Sequence, residues 1–332
     1  MTFQALVVKE TSSGTFERSI LSREVTTLPA GQLLIKVHYS SLNYKDALSA
    51  TGHKGISRMY PHTPGIDAAG IVLKSEHPSF LPGEEVVVTG FDLGMNTSGG
   101  FSQLISVPAS WVIKKPEAYD LKECMIIGTA GLTAALALHK MELLGLHPGQ
   151  GPMVITGATG GVGSIGTALF SAAGYTVIGT SGKPNARSYL QQLGAAACES
   201  REWVQDSSGK PLLKPRWAGA VDTVGGITLT TLLKGCKPEG VVAATGLVSS
   251  SEFNTSLYPF LLNGVSLLGI ASADTPLPVK QLMWDKLSSI WNIREVLPLL
   301  SQETNLEGLS NIYIPAILKG EVKGRIVVNL EG

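Results

Sequence analysis

Met153-Val-Ile-Thr-Gly157-Ala-Thr-Gly160-Gly161-Val-Gly163-Ser164 is the stretch that decides the fold. A short apolar strand runs into a glycine-rich turn, and the turn opens into a helix beginning near Val162. Backbone N–H groups at a helix N-terminus make a ready site for a pyrophosphate. Glycines there remove the Cβ atoms that would hold the phosphates away. Gly174 stands where the helix should end, and a new strand, Tyr175–Thr180, follows at once. The turn departs from a strict G-x-G-x-x-G, because Thr159 stands where that pattern wants glycine. The order of strand, turn and helix carries the reading, which is a dinucleotide cradle formed by Thr159, Gly160, Gly161, Val162 and Gly163.

The end of the next strand selects the dinucleotide. An enzyme that prefers NAD usually places Asp or Glu there to bind the ribose hydroxyls. This chain has Thr180, Ser181, Gly182 and Lys183, with Arg187 one turn further on. A carboxylate would repel a 2′-phosphate, whereas a hydroxyl, free N–H groups and an ammonium hold it. Each charge-assisted hydrogen bond contributes about 1.5–3 kcal/mol. The expected cofactor is NADPH, with Ser181, Gly182 and Lys183 at its extra phosphate.

Working outward, 332 residues are long for one core, so two domains are expected. The 26 basic and 26 acidic residues leave no net charge to recruit nucleic acid or an anionic membrane. No N-terminal segment pairs a basic start with an apolar core, and no apolar run approaches the length of a membrane span. A soluble cytoplasmic protein is expected. Cys124, Cys198 and Cys236 are far apart and odd in number, which reads as reduced structural thiols.

From Phe3 to about Ile113 the pattern is β-rich. Ala5–Lys9, Leu33–Tyr39, Ile71–Ser75 and Glu85–Val88 have the β-branched, half-buried character of strands, and Pro82-Gly83 is a turn signal. Helical spacing takes over at Leu121–Ile127 and Leu132–Leu144. Strands and helices then alternate through Val265–Ile270, as βαβ units and a parallel sheet require. An amphipathic helix, Val279–Ile290, and a closing strand, Arg325–Leu330, follow. The expected class is α/β, a doubly wound Rossmann sheet beside a barrel-like β domain to which the chain returns. The boundaries read as 1–123 for the first part of the catalytic domain, 124–271 for the Rossmann domain and 272–332 for the return.

The runs Ser40-Ser41-Leu42-Asn43-Tyr44-Lys45-Asp46 and Pro64-Gly65-Ile66-Asp67-Ala-Ala-Gly70 resemble the medium-chain dehydrogenase/reductase superfamily. Gly128-Thr-Ala-Gly131-Leu-Thr-Ala-Ala135, Gly157–Gly163 and Asp222-Thr-Val-Gly-Gly226 narrow the resemblance to its acrylyl-CoA reductase and quinone oxidoreductase branch. The resemblance covers essentially the whole chain. It implies a split GroES-like β-barrel catalytic domain flanking the Rossmann domain, with the cofactor between them. It also implies hydride transfer from NADPH to an α,β-unsaturated thioester or an electron-poor quinone, and a homodimer for which Val265–Ile270 offers an edge strand.

Zinc enzymes of the superfamily use a Cys and a His–Glu pair. Here the first position falls in Ser41-Leu42-Asn43, and Gly65-Ile66-Asp67 has Pro64 before it rather than a histidine. No C-x₂-C spacing exists, and no cysteine is near His38, His53, His62 or His77. The site is expected to hold no metal.

Reducing an activated alkene needs the nicotinamide against the β-carbon, donors for charge on the thioester oxygen, and a proton for the α-carbon. The hydride chemistry is the cofactor's, so the protein supplies position and field. Asn43, Tyr44 and Asp46 are the catalytic candidates. By resemblance Tyr44 also contacts the cofactor, while Asn43 and Asp46 orient substrate, donate to an enolate or relay a proton. Their alternative role is to cap the helix that starts near Tyr44. The family pattern further assigns cofactor contacts to Arg201, Leu247, Leu261, Ser272 and Gly320, where Gly320 can offer only backbone. Lys54 and Arg58, in a glycine-rich basic loop, are candidates for a CoA phosphate. The leading reading is an NADPH-dependent reductase of an acrylyl-CoA type thioester. The alternatives are a reductase of quinones or free enones, and an NADPH-binding protein without turnover.

Overall fold

A computed structural model describes Met1–Glu331 as two compact units. The first comprises Met1–Thr129, Ser272–Ser288 and the chain from Leu300 onward. Its strands are β1 (Thr2–Glu10), β2 (Phe16–Glu24), β3 (Leu33–Ser41), β4 (Asp67–Ser75), β5 (Glu85–Thr89), β6 (Leu104–Val107), β7 (Val112–Lys114), β14 (Ser301–Thr304) and β15 (Arg325–Asn329). β1 and β2 form an antiparallel hairpin. The main sheet runs β14-β15-β3-β4-β5-β7, with β6 also paired to β3. Leu33, Ile35 and Val37 point from β3 into a core with Leu6, Val8, Phe101, Ile326 and Val328, while Lys36 faces outward. Period-two alternation is what a sheet with one buried face requires. Gly70 of β4 is obligatory, since a Cβ there would lie 1.9 Å from the Lys36 carbonyl oxygen.

The sequence reading had no strand at Phe16–Glu24. Every residue of β2 is half-buried or exposed, so it carries no apolar run, and its pairing with β1 supplies what its own pattern lacks. The two helical stretches expected on either side of Gly128 are two helices meeting at a kink, taken together as α2 (Leu121–Leu143), with Gly128 at φ +46° and ψ −155°. One expectation is corrected: by length and composition Leu121–Leu143 is long and apolar enough to cross a membrane. Yet 83% of its most apolar window is buried inside the protein, as in a core helix.

The second unit comprises Ala130–Ala271 and Ser289–Leu299. Its strands are β8 (Met153–Ile155), β9 (Val177–Thr180), β10 (Ala197–Glu199), β11 (Trp217–Asp222), β12 (Cys236–Ala244) and β13 (Ser266–Gly269). They form a wholly parallel sheet in the order β10-β9-β8-β11-β12-β13. α3 (Gly161–Ala172), α4 (Ala186–Gln192), α5 (Gly226–Lys234) and α6 (Tyr258–Asn263) connect them. All six residues of β11 are buried, as a strand covered on both faces must be. The order reverses between β8 and β11, the switch point at which such sheets bind ligands. All three cysteines are free and buried, and burial pushes the Cys236 thiol up to about 12.

Candidate active site

In the second unit, β8 ends at Ile155 and α3 begins at Gly161. Gly157 takes φ +56°, and a Cβ there would meet Thr223 Oγ1 at 2.3 Å. A Cβ on Gly163 would stand 2.3 Å from the Gly157 carbonyl oxygen, so that glycine lets the helix pack onto the turn. Gly160 is different: its nearest neighbour to a built Cβ is the Gly157 oxygen at 3.3 Å, leaving an open concavity above the turn. Helix geometry leaves the first N–H groups of α3 without intrahelical acceptors. Asp222 locks the turn from below. Its carboxylate accepts from Thr156 Oγ1 at 2.6 Å, Val224 N at 3.2 Å and Gly225 N at 2.8 Å. Burial nevertheless raises its pKa.

Beside this turn, Thr159 Oγ1 and Ser181 Oγ share a hydrogen bond of 2.9 Å, and Lys183 N donates to Ser181 Oγ. The Arg201 guanidinium lies against Gly182, where a Cβ would be 2.5 Å from its Nε. The ends of β8, β9 and β10 thus gather Thr159–Gly163, Ser181, Gly182, Lys183 and Arg201. That donor set, with its glycine concavity, fits a dinucleotide bearing a further phosphate.

In the first unit, α1 (Tyr44–Ser49) starts directly after β3. Asp46 accepts from Asn43 N at 2.8 Å, which is one half of a capping box, and from Ile66 N at 2.8 Å. The Asn43 carboxamide has tertiary partners besides the box. Its Nδ2 donates to Asp67 Oδ2 at 2.8 Å and Ser41 O at 3.3 Å, and its Oδ1 accepts from Arg325 Nη1 at 3.1 Å. Asp67 also accepts from Ser41 Oγ, Thr129 N and Thr129 Oγ1. Arg325 donates to Ile126 O, Leu42 O and Ser41 Oγ, and lies 3.5 Å from Asp67 Oδ2. Asp46 and Asp67 are 0% exposed and Arg325 is 2% exposed, so two acidic side chains and one guanidinium are buried together. Tyr44, by contrast, is 39% exposed and its phenol carries no hydrogen bond among the described residues.

Two family models match the chain, an alcohol dehydrogenase GroES-like domain over residues 29–117 and a zinc-binding dehydrogenase domain over 161–289. The chain is 42% identical over 330 residues to a Bacillus subtilis protein named as a quinone oxidoreductase, YhfP, covering 99% of both chains. It is 40% identical over 331 residues to the acrylyl-CoA reductase AcuI of Ruegeria pomeroyi, again with 99% of each covered. This chain belongs to the zinc-free medium-chain dehydrogenase/reductase family. Its structure superposes on Escherichia coli K-12 YhdH with bound NADPH at a TM-score of 0.95, with 38% identity and 99% and 100% of the two chains covered. YhfP, solved with NAD bound, gives a TM-score of 0.96 at 41% identity, with the same coverage. The chain is accordingly an oxidoreductase with the α/β fold expected of it.

Zinc, named in the second family model, does not suit this dehydrogenase/reductase. At the positions where a ligand set would stand, Ser41, Asn43 and Asp67 already spend their oxygens and N–H groups on one another and on Arg325. The Arg325 guanidinium already supplies positive charge to this cluster, and the donors lack the thiolate or imidazole that zinc favours. No cluster of His, Cys, Asp and Glu suited to a metal occurs among the described residues.

The remaining candidates are scattered. Leu247 lines a cleft of about 490 Å³ with Gly225, Leu229, Phe253 and Ile270, beyond the ends of β11 and β12. Leu261 is 75% exposed on α6. Ser272 begins the return to the first unit, and Gly320 has φ +72° with open space around it. Lys54 is engaged already: its ammonium meets Glu10 at 2.6 Å and lies over the rings of Phe16 and Tyr60. Arg58 is exposed and makes no ion pair among the described residues.

Sequence reasoning missed Asp67 and Arg325 as site residues. The available signal was an arginine opening the buried β-branched run Arg325-Ile-Val-Val and an aspartate inside Gly65-Ile66-Asp67-Ala-Ala-Gly70. Burial, then the neighbouring Asp67, raises Asp46 from 3.8 to about 7. A carboxyl whose folded pKa is raised stabilises the fold fully below its unfolded value, and that contribution drains as pH rises through the folded value. Stability of the wild type should therefore fall between pH 3.8 and about 7, and Asp46→Asn should flatten that slope. Urea unfolding across that window checks it. An unchanged slope in the variant would remove Asp46 as its source.

Proposed function

We propose that this oxidoreductase uses NADPH to reduce the activated C=C bond of an α,β-unsaturated CoA thioester of the acrylyl type. The observation that carries the reading is end-to-end identity of 40% to the Ruegeria pomeroyi acrylyl-CoA reductase, combined with a cofactor pocket holding Ser181, Lys183 and Arg201 and no acid at the second strand. When bound, NADPH supplies the hydride. The chain's own residues then hold the cofactor and serve the substrate. The N–H groups of Gly161–Gly163 hold the pyrophosphate, and Ser181, Lys183 and Arg201 hold the 2′-phosphate.

Tyr44, exposed and unpartnered at the start of α1, is the donor available to the cofactor or to the thioester oxygen as charge builds on it. Asn43 places that tyrosine, because its carboxamide is saturated by Ser41, Asp67 and Arg325. Asp46, whose pKa of about 7 lets it exchange a proton near neutrality, suits a relay toward the α-carbon. Arg58 is the freer of the two cations available to a CoA phosphate, since Lys54 is held by Glu10.

Quinone reduction is the second reading, favoured by the 42% identity to YhfP, whose structure holds NAD. Stopped-flow mixing of the protein and NADPH with acrylyl-CoA, crotonyl-CoA, acrylate and a benzoquinone separates them. Fast oxidation by the thioesters alone supports the first reading, and by the quinone alone the second. No oxidation by any of them leaves a cofactor-binding protein without turnover.

The same reading includes a homodimer. β13 is an edge of the parallel sheet, and Leu257, Tyr258, Leu261 and Leu262 beside it are 51–75% exposed. An unpaired edge next to apolar surface is a template for a second copy. Leu267→Pro, whose N–H lies on the open side because Ile270 N bonds back to Ala244 O of β12, should convert the species seen in sedimentation velocity from dimer to monomer. A wild type sedimenting as a monomer would refute the assembly.

A further inference from the structure

We propose that Lys280 sets the acyl-chain preference of this enzyme by pinning Phe91 as a rigid aromatic wall beside the Asn43–Asp46 loop. The inference rests on the thioester-reductase reading and adds to it a positioning residue and a specificity-determining one.

Lys280 lies on α7 (Leu277–Leu287), is 1% exposed and has no ion pair among the described residues. Its ammonium donates to Thr89 O at 2.6 Å and Ala273 O at 2.8 Å. It also stands 3.5 Å from the centroid of the Phe91 ring. Two carbonyls and one π face account for its three N–H groups. A buried ammonium with no carboxylate in contact is costly, and a desolvated cation–π contact offsets part of that cost.

Phe91 is the other half of the device. Its φ is +54°, a left-handed conformation that bulky residues rarely adopt. Glycine would take that backbone freely, so a ring is being kept where the chain favours none. Three contacts hold it: Phe91 N donates to Ala273 O at 2.9 Å, the ring stacks on Trp111 with centroids 5.7 Å apart and planes 7° apart, and Lys280 lies over the ring. The ring remains partly exposed.

Hydrogen bonds join this loop to the catalytic one through a single residue. Gly90 N donates to Ile66 O at 2.8 Å, and Ile66 N donates to Asp46 Oδ1 at 2.8 Å. A flat wall at this place accepts a short, planar unsaturated acyl group and obstructs a longer one. Losing the clamp lets the ring swing and the discrimination fall.

The test measures kcat/KM with NADPH for acrylyl-, crotonyl- and hexenoyl-CoA in the wild type, Lys280→Met and Phe91→Ala. Methionine keeps the length of the side chain and removes its charge. Both variants should lower the acrylyl-to-hexenoyl ratio about tenfold, the scale on which pocket walls discriminate methylenes. The Kd for NADPH should stay unchanged. A purely structural role would depress all three substrates together and leave the ratio alone, which overturns the proposal. Should Lys280→Met fail to fold, the ratio in Phe91→Ala decides. A wild type that turns over none of the thioesters overturns the reductase reading itself, and that outcome is visible before any variant is made.

Discussion

Arg325→Met should destabilise the first unit by about 3–5 kcal/mol, the usual cost of removing one partner from a buried ion pair. The guanidinium is 2% exposed and is the cation that Asp67 and Asp46 share. Methionine fills much of the volume, so the loss is electrostatic and of hydrogen bonds rather than a cavity. Four acceptors would be stranded at once: Ile126 O, Leu42 O, Asn43 Oδ1 and Ser41 Oγ. The double variant Asp67→Asn, Arg325→Met should regain part of that stability, because one buried negative charge goes with the positive one. Urea unfolding monitored by tryptophan fluorescence measures both. An Arg325→Met protein within about 1 kcal/mol of wild type would mean the network is far wetter than its burial indicates.

Lys183→Glu should weaken NADPH binding by about 10–100-fold and leave NADH binding within a factor of two. A lost charge-assisted hydrogen bond of about 1.5–3 kcal/mol gives that range, and the new carboxylate adds repulsion in the same direction. NADH has no phosphate at this position, so its affinity reports any general damage to the turn. Fluorescence titration with each coenzyme makes the comparison. Equal losses for both would show that Lys183 serves the loop and not the phosphate. The comparison has weight because a relative 41% identical to this chain was solved with NAD.

The second unit was largely legible before any coordinates. Short apolar runs such as Met153–Ile155 and Trp217–Asp222 can only be strands covered on both faces, and the glycines of the turn are fixed by contacts between neighbours in sequence. The first unit was less so. β2 alternates without an apolar face and was missed, whereas the break of α2 at Gly128 was legible in its periodicity. Gly128 is itself dictated by distance in space. A Cβ there would lie 2.6 Å from Asp67 Oδ2 and 3.0 Å from Arg325 Nη2, residues that sequence places far away on either side. The Asn43–Asp46 capping interaction was legible from spacing. The diversion of the Asn43 carboxamide to Asp67 and Arg325 was not, since both partners arrive through tertiary pairing of β3 with β4 and β15. Lys280 left no trace at all, being one lysine in an amphipathic helix.

The position of β15 also orders events during synthesis. Residues 130–271 hold all six strands of the parallel sheet and leave the ribosome well before Arg325, so that sheet is complete in sequence while the other unit still waits for its last partner. Until Arg325 arrives, Asp67 and Asp46 lack the guanidinium that sits with them in the finished fold. A product truncated ahead of Arg325 should therefore keep the sequence of the whole parallel sheet yet lose the partner that orders the loop bearing Asn43 and Tyr44.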